Sequence, residues 1–416
     1  MAVRKILLVN YDSLTDALML TAAVRDLQLF SFGGYAVDVH TLGMPIWDLN
    51  PYITRLDWRA VPYDGESDLA ANEYGFPEHN TKIICYDTEI QVVYCSTRGY
   101  FAPSDRLKNI NAYHRIHSFA YDIGEKLGLS SAVPIGEQRG VVSISDIERG
   151  WMSQIEEAKN FNNFWLIQTG GAEDKTASWW DIARYQKVVD EFKDKITFVQ
   201  VGAPGAPHPR LKGVIDVVGK TDLRQIIRLM YHAAGYVGAP GFLMHLAAAT
   251  PTRAFERNGR PRPPVRAAVI ISGGQEPYQW FAYEGHQVLH NNGMLPCCET
   301  GGCGKTRCET PHRLEPYPEQ LCTMPIKIGR DGIIPKCLDM ISVKMVIDRI
   351  KFHFDGGAYF YDGVPFKIPA PFQEPPKKDA KKESKKEAKK TPKNEHPTNR
   401  GAQESGEPHP ELARSE

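Results

Sequence analysis

At a typical domain size of about 150 residues, a chain of 416 residues makes two or three domains with a sizeable core. Hydrophobic residues make up 42%, aromatics 10% and charged residues 24%, ordinary globular values that exclude a fibrous or wholly disordered protein. Lys+Arg 50 balance Asp+Glu 50, so no chain-wide field recruits nucleic acid or an acidic membrane, and no specific nucleic-acid partner is expected.

In chain order, Val3–Val9 reads as a buried strand, and a helix follows from Asp16 to Phe30 with apolar residues at Leu20, Ala23, Val24 and Leu27. Strands are predicted at Val37–His40, Lys82–Asp87 and Gln91–Cys95, then a helix over Tyr113–Leu127. After Gly140 the rhythm restarts. A strand Val141–Ser145, a helix Ile147–Lys159, a strand Phe164–Gln168, a helix Trp180–Phe192 and strands Ile196–Val201 and Val214–Val218 follow. A helix Leu223–Ala233, a strand Tyr236–Gly238, a helix Phe242–Ala249 and a strand Val265–Ile271 complete the alternation. This pattern predicts an α/β protein of two doubly wound, Rossmann-like domains, 1–135 and 140–353, with ligands in the cleft between the carboxyl ends of their sheets. From Gln373 the chain has almost no apolar residues and repeats Lys-Lys pairs, so 373–416 is expected to be a disordered tail. The first apolar run, Ile6–Val9, is too short for a signal peptide, and nowhere do about 18 apolar residues run together, so no transmembrane segment is predicted and the cytoplasm is the default location.

Two apparent phosphate motifs fail. Gly304-Lys305-Thr306 ends like a P-loop, but the glycine required five residues earlier is Glu299, and Gly202 to Gly205 lacks the third glycine of a dinucleotide fingerprint. No Asp-x-Asp pair offers a clamp for a metal-bound diphosphate.

Three loops at predicted strand ends carry more weight. Asn10 to Asp16 places Asp12 and Asp16 where a carboxylate could take a proton from an attacking hydroxyl, although Ser13 or Asp16 could equally be a helix cap. Thr169-Gly170-Gly171 to Lys175 offers a hydroxyl, close backbone approach and a cation suited to a diphosphate, or a plain glycine turn. Gly241-Phe242-Leu243-Met244-His245 follows a short strand and opens a helix whose free N–H groups suit phosphate, with His245 facing either ligand or core. Six of the eight cysteines (Cys297, Cys298, Cys303, Cys308, Cys322 and Cys337) crowd one segment. In a reducing compartment this suggests a metal before disulfides, against a loop of free thiols.

In this order, the opening Ile-Leu-Leu-Val with Asp16-Ala-Leu-Met-Leu-Thr, the stretch Val218-Gly-Lys-Thr221-Asp-Leu-Arg, and Gly241 to His245 resemble glycosyltransferase family 9, the ADP-heptose-dependent heptosyltransferases. The cysteine segment 295–338 resembles the subgroup that includes iron-binding autotransporter heptosyltransferases. The resemblance implies a two-domain fold of the glycosyltransferase B type and an inverting transfer without a catalytic metal. A nucleotide-sugar donor and a saccharide or protein hydroxyl acceptor are the implied partners, and lipopolysaccharide core is one such acceptor. A homo-oligomer stays open. By the resemblance Asp16 is the general base, Ser13 and Thr15 lie beside it, and Thr169, Gly170, Gly171, Lys175, Thr221 and Gly241 to His245 contact the donor. It also implies a structural iron or zinc on four thiolates, taken as Cys298, Cys303, Cys322 and Cys337 with Cys308 or Cys297 as substitutes. Two positions depart from the pattern: Thr15 stands where many relatives have glycine, and Pro240 where many have an acid. A nucleotide-sugar epimerase of the same fold and an inactive metal-stapled binding module are the rival readings.

Overall fold

The computed structural model describes residues 3–62, 81–97, 113–155, 164–253, 266–299, 301–308, 318–329 and 332–354. All belong to one compact unit. The predicted tail 373–416 lies outside the described residues.

The first half opens with strand β1 (Arg4–Asn10) and helix α1 (Leu14–Phe30), followed by β2 (Tyr35–Thr41), β3 (Trp58–Pro62), β4 (Thr81–Cys85), β5 (Gln91–Tyr94) and α2 (Ile116–Lys126). A parallel sheet runs β2-β1-β5, and β3 and β4 form a separate antiparallel pair. Helix α1 starts because Ser13 accepts the Asp16 N–H as its cap. Every residue from Ala17 to Leu27 is buried, so α1 is an interior helix rather than a surface one.

The second half holds α3 (Asp146–Gly150), β6 (Phe164–Ile167), α4 (Ile182–Phe192), β7 (Thr197–Gln200), β8 (Ile215–Asp216), α5 (Leu223–His232), β9 (Gly235–Gly238), α6 (Phe242–Ala249), β10 (Ala267–Gly273) and β11 (His286–His290). Its six strands are all parallel in the order β11-β10-β9-β6-β7-β8. A hairpin of β12 (Pro325–Ile328) and β13 (Gly332–Pro335) leads into α7 (Lys336–Asp339) and α8 (Val343–Phe354). Strand alternation sorts the side chains into two cores. Phe164, Leu166 and Tyr236 point into a core that continues through α6 and α1 to Ile6 and Leu8 of the first sheet, whereas Trp165, Ile167 and Val237 face α4 and α8.

The doubly wound α/β architecture expected from the sequence is present in both halves. Three elements differ. The β-branched run 141–145 forms no strand: the Val141 N–H is taken by Thr21 Oγ1 of α1 at 2.7 Å and the Ser143 carbonyl by Arg224 at 2.9 Å, so its backbone partners are side chains. The helix expected over Ile147–Lys159 is broken: Asp146–Gly150 ends at an extended Trp151, Gln154 and Ile155 are helical again, and the predicted end lies outside the described residues. The strand expected over Val214–Val218 shrinks to the edge strand Ile215–Asp216. Among the described residues no helix is long and apolar enough to cross a membrane.

Candidate active site

The carboxyl end of β1 delivers a compact set of polar side chains. Buried Asn10 donates to the Cys95 carbonyl at 2.8 Å and to Asp12 at 3.2 Å, and Asp12 also accepts from Ser96 Oγ at 2.6 Å. Ser13 both accepts the Asp16 N–H and donates its hydroxyl to Asp16 Oδ2 at 2.5 Å, while Thr97 Oγ1 lies 3.4 Å from Oδ1. The cap is therefore Ser13, which leaves the Asp16 carboxylate beside it rather than in the capping role. Asp16 is half-buried as a residue, but its carboxyl group is closely surrounded. Burial raises its pKa above the ordinary carboxylate value, Asp12 adds to the rise, and the Ser13 hydroxyl, Arg115 and Lys175 oppose it.

Lys175 belongs to the second half, in a 3-10 turn (Glu173–Ser178) after β6, and it is exposed. The fold thus brings Asp16 and Lys175 within electrostatic reach across the two halves. Sequence reasoning missed two neighbours. Arg115, at the start of α2, pairs with Glu276 at 2.8 Å and lies 5.3 Å from the centre of the Trp280 ring. Burial would push the Glu276 carboxyl up, but Arg115 and Lys175 hold it below its usual value. Gly273-Gly274-Gln275 ahead of Glu276, directly after a strand, is the same signal that Gly170-Gly171 gives, and it could have marked that turn.

The remaining predicted donor residues divide. Gly170 passes so near the loop after β7 that a Cβ would lie within van der Waals overlap of the Pro207 carbonyl, whereas a Cβ on Gly171 would meet nothing nearer than Trp179 at 3.9 Å, leaving its backbone open to approach. Gly241 takes φ 154°, a conformation that favours glycine, and opens α6 with no side chain capping it. Thr221 precedes the Asp222 cap of α5, whose Leu223 reaches toward Gly43 of the first half. Thr15 and Phe242 are half-buried beside these turns.

Four of these residues turn their side chains into the protein. Thr169 is 2% exposed and its hydroxyl serves the protein interior, donating to the Pro209 carbonyl at 2.7 Å and accepting from Gln200 at 2.9 Å. Leu243 and Met244 are buried in the core that links the two halves, Met244 completely, because α6 packs between the second sheet and α1. His245 is 5% exposed, bonds through Nδ1 to the Tyr283 hydroxyl at 2.5 Å, and joins an aromatic group with His114. Burial holds its pKa well below the ordinary histidine value, with His114 and Arg115 acting the same way, so it is a neutral core residue.

A separate cavity of about 10 Å³, room for one water-sized sphere, is lined by Cys297, Cys303, Cys322 and Cys337. The predicted Cys298 is instead buried against Gly274, with Sγ 3.3 Å from the Asn291 carbonyl, and its neighbour Cys297 takes the place at the cavity. Cys308 lies outside this lining but its side chain hydrogen-bonds Cys322, which brings the Cys322 thiol down to about 6. Burial pushes Cys337 up to about 12. Four thiols and no carboxylate are the donor set of a thiophilic ion such as zinc or iron. Among the described residues, no group of three or more His, Cys, Asp or Glu side chains is gathered into ligating geometry, so an ion would have to draw these thiols together.

No family model matches the sequence, and no curated protein matches it. Solved structures do. The structure of a glycosyl transferase family 9 protein from Veillonella parvula superposes with a TM-score of 0.51 at 13% identity, covering 84% of this chain and 97% of that one. The fold is that of a family 9 glycosyl transferase. Two further structures superpose at lower scores. One is the ADP-heptose LPS heptosyltransferase II of E. coli (TM-score 0.48, 15% identity, 83% of this chain and 97% of that one). The other is the iron-containing dodecameric glycosyltransferase TibC of enterotoxigenic E. coli (TM-score 0.48, 15% identity, 85% and 78%). In the family 9 fold described above, the charged set formed by Asp16, Arg115, Lys175 and Glu276 joins the two halves, while the cysteine cavity lies behind the Lys175 turn. A cavity of about 900 Å³ lined by Gln138, Gly140, Thr250, Arg266 and Tyr283 contains none of the predicted site residues.

Proposed function

We propose that this protein is an inverting glycosyltransferase of family 9 that moves a sugar, heptose by family resemblance, from a nucleoside diphosphate to a hydroxyl of a saccharide or protein acceptor. Lipopolysaccharide core and a protein serine are the acceptor classes, and the cytoplasm is the compartment. The observation that supports this reading is a buried β1-end carboxylate, Asp16, that feels the positive charge of Lys175 on the opposite half, the weakest of the influences on it. An inverting transfer needs one base opposite a departing diphosphate, with positive charge waiting for it.

In the reaction, Asp16 takes the proton of the acceptor hydroxyl as its oxygen forms a bond to the anomeric carbon. The bond from that carbon to the diphosphate oxygen breaks with inversion, and the electron pair leaves with the nucleoside diphosphate. Lys175, the open backbone at Gly171 and the first N–H groups of α6 face the growing negative charge. No catalytic metal takes part. Cys297, Cys303, Cys322 and Cys337 would hold a structural zinc or iron, which would brace the fold rather than act on substrate.

A thermal-shift screen against ADP, UDP, GDP and CMP sugars, followed by product analysis, tests the reading. A saturating donor at 100 times its Kd stabilises the fold by about 2.7 kcal/mol, and sugar then appears on the acceptor. Free epimerised sugar would turn the assignment to an epimerase. No response to any nucleotide sugar would leave a binding module.

A further inference from the structure

The 3-10 turn that carries Lys175 is interrupted at the lysine itself, where φ −126° and ψ 34° are not helical. Within the turn the Lys175 N–H donates to the Ala172 carbonyl at 3.0 Å, and the cysteine segment adds further ties to its neighbours. The Ala177 N–H donates to the Thr306 carbonyl at 2.9 Å, the Cys308 N–H to Thr176 Oγ1 at 3.1 Å, and Arg307 Nε to the Asp174 carbonyl at 3.4 Å.

The same strip of chain holds the Glu276 turn. The Cys303 N–H donates to the Gly274 carbonyl at 3.1 Å and the Gly304 N–H to the Gln275 carbonyl at 2.8 Å. Gly302 runs so close that a Cβ would lie 2.7 Å from Gln275 O. Ser178 then closes the circuit by donating to Gln275 Oε1 at 2.8 Å. Lys175 and Glu276, the two charged groups that the second half brings toward Asp16 and Arg115, thus rest on residues 302–308. Behind that strip lies the four-cysteine cavity, to which it is tied by Cys303 and by the Cys322 N–H donating to the Arg307 carbonyl at 2.6 Å.

We propose that residues 302–308 are a positioning brace for the diphosphate subsite. Gathering Cys303 and Cys322 onto one thiophilic ion fixes the strip from both sides, and the strip in turn fixes Lys175 and Glu276, so that ligation of the thiols tightens donor binding from behind the site. The affinity half of this inference rests on the transferase reading; the mechanical half does not.

Thr176 is the separable link, since its hydroxyl meets the strip while touching neither the cavity nor the charged set. In the full-length protein loaded with zinc, Thr176→Val is expected to weaken ADP binding in calorimetry about fivefold, the loss of roughly one hydrogen bond's contribution. Thr176→Ser, which keeps the hydroxyl, restores it. On a Lys175→Ala background the valine substitution has little further effect, because both act through the same cation. Hydrogen exchange of 173–178 is read in parallel, and it accelerates both in Thr176→Val and in wild-type protein stripped of metal by a chelator. Exchange that is unchanged in both, or a serine variant as weak as the valine one, overturns the brace. If wild-type protein binds no ADP while exchange in 173–178 still follows metal and Thr176, the brace stands and the transferase reading falls.

Discussion

Asp16 is a carboxylate whose proton affinity is set by competition. Burial and Asp12 raise its pKa, and Ser13, Arg115 and Lys175 bring it partly back. The net rise fixes the sign of two effects. As a base it must be ionised, so the transfer rate should fall on acidification at a pH above the ordinary carboxylate range, and a pH–rate profile reads that limb directly. For stability, a carboxyl whose folded pKa is raised stabilises the fold in its protonated form below the unfolded pKa, and that contribution disappears as pH rises through the folded value. The ionised group is thus a slight liability at neutral pH. Asp16→Asn should unfold at the same temperature as wild type or higher while losing about 100-fold or more of its transfer rate. A variant that keeps full activity would remove the base assignment. Asp16 and Lys175 were legible because each sits in a polar loop after a short apolar run. Arg115 and Glu276 were not, since their meeting depends on α2 of one half reaching a loop of the other.

At the scale of elements, α6 shows how packing reassigns residues that local pattern leaves open. The turn Gly241 to His245 reads as a ligand-binding helix start, yet of these five residues only Gly241 and Phe242 stay near the surface, because the helix fills the space between α1 and the second sheet. The crossing of α1 and α6 leaves room for glycine alone at position 140. A Cβ there would lie 2.6 Å from the Leu18 carbonyl and 3.2 Å from the Ala249 Cβ. Gly140→Ala should therefore cost about 1–3 kcal/mol of stability in denaturant titration, and an unchanged midpoint would show that the helices can separate freely. The run 141–145 teaches the same lesson. Its valines and isoleucine have strand propensity, but a strand needs a neighbouring edge, and here Thr21 and Arg224 meet the backbone instead.

Across the whole molecule, the join between the halves is polar as well as apolar. Arg25 and Asp26, nearly buried on α1, pair at 2.7 Å. Arg25 also donates to the Glu137 and Arg139 carbonyls, and Asp26 accepts the Gly136 N–H at 3.2 Å. This network pins α1 to the segment where the sequence rhythm restarts. Removing the cation alone leaves Asp26 buried without its partner, so Arg25→Ala should destabilise by about 3–5 kcal/mol in chemical denaturation. A loss under 1 kcal/mol would mean that water replaces the guanidinium there.

The amino-acid sequence by itself determined the alternation of strands and helices, the two doubly wound halves, and the strand-end loops holding Asp16 and Lys175, because period, propensity and glycine placement act over a few neighbouring residues. Tertiary structure alone decided which residues face one another. It drew Arg115 toward Asp16 and Glu276 onto Arg115, turned Thr169, Met244 and His245 inward, and exchanged Cys298 for Cys297 at the thiol cavity. Adjacent residues such as these two cysteines have the same composition and the same spacing to within one position. Only the path of the backbone past Gly274 settles which sulfur is packed away and which reaches the cavity.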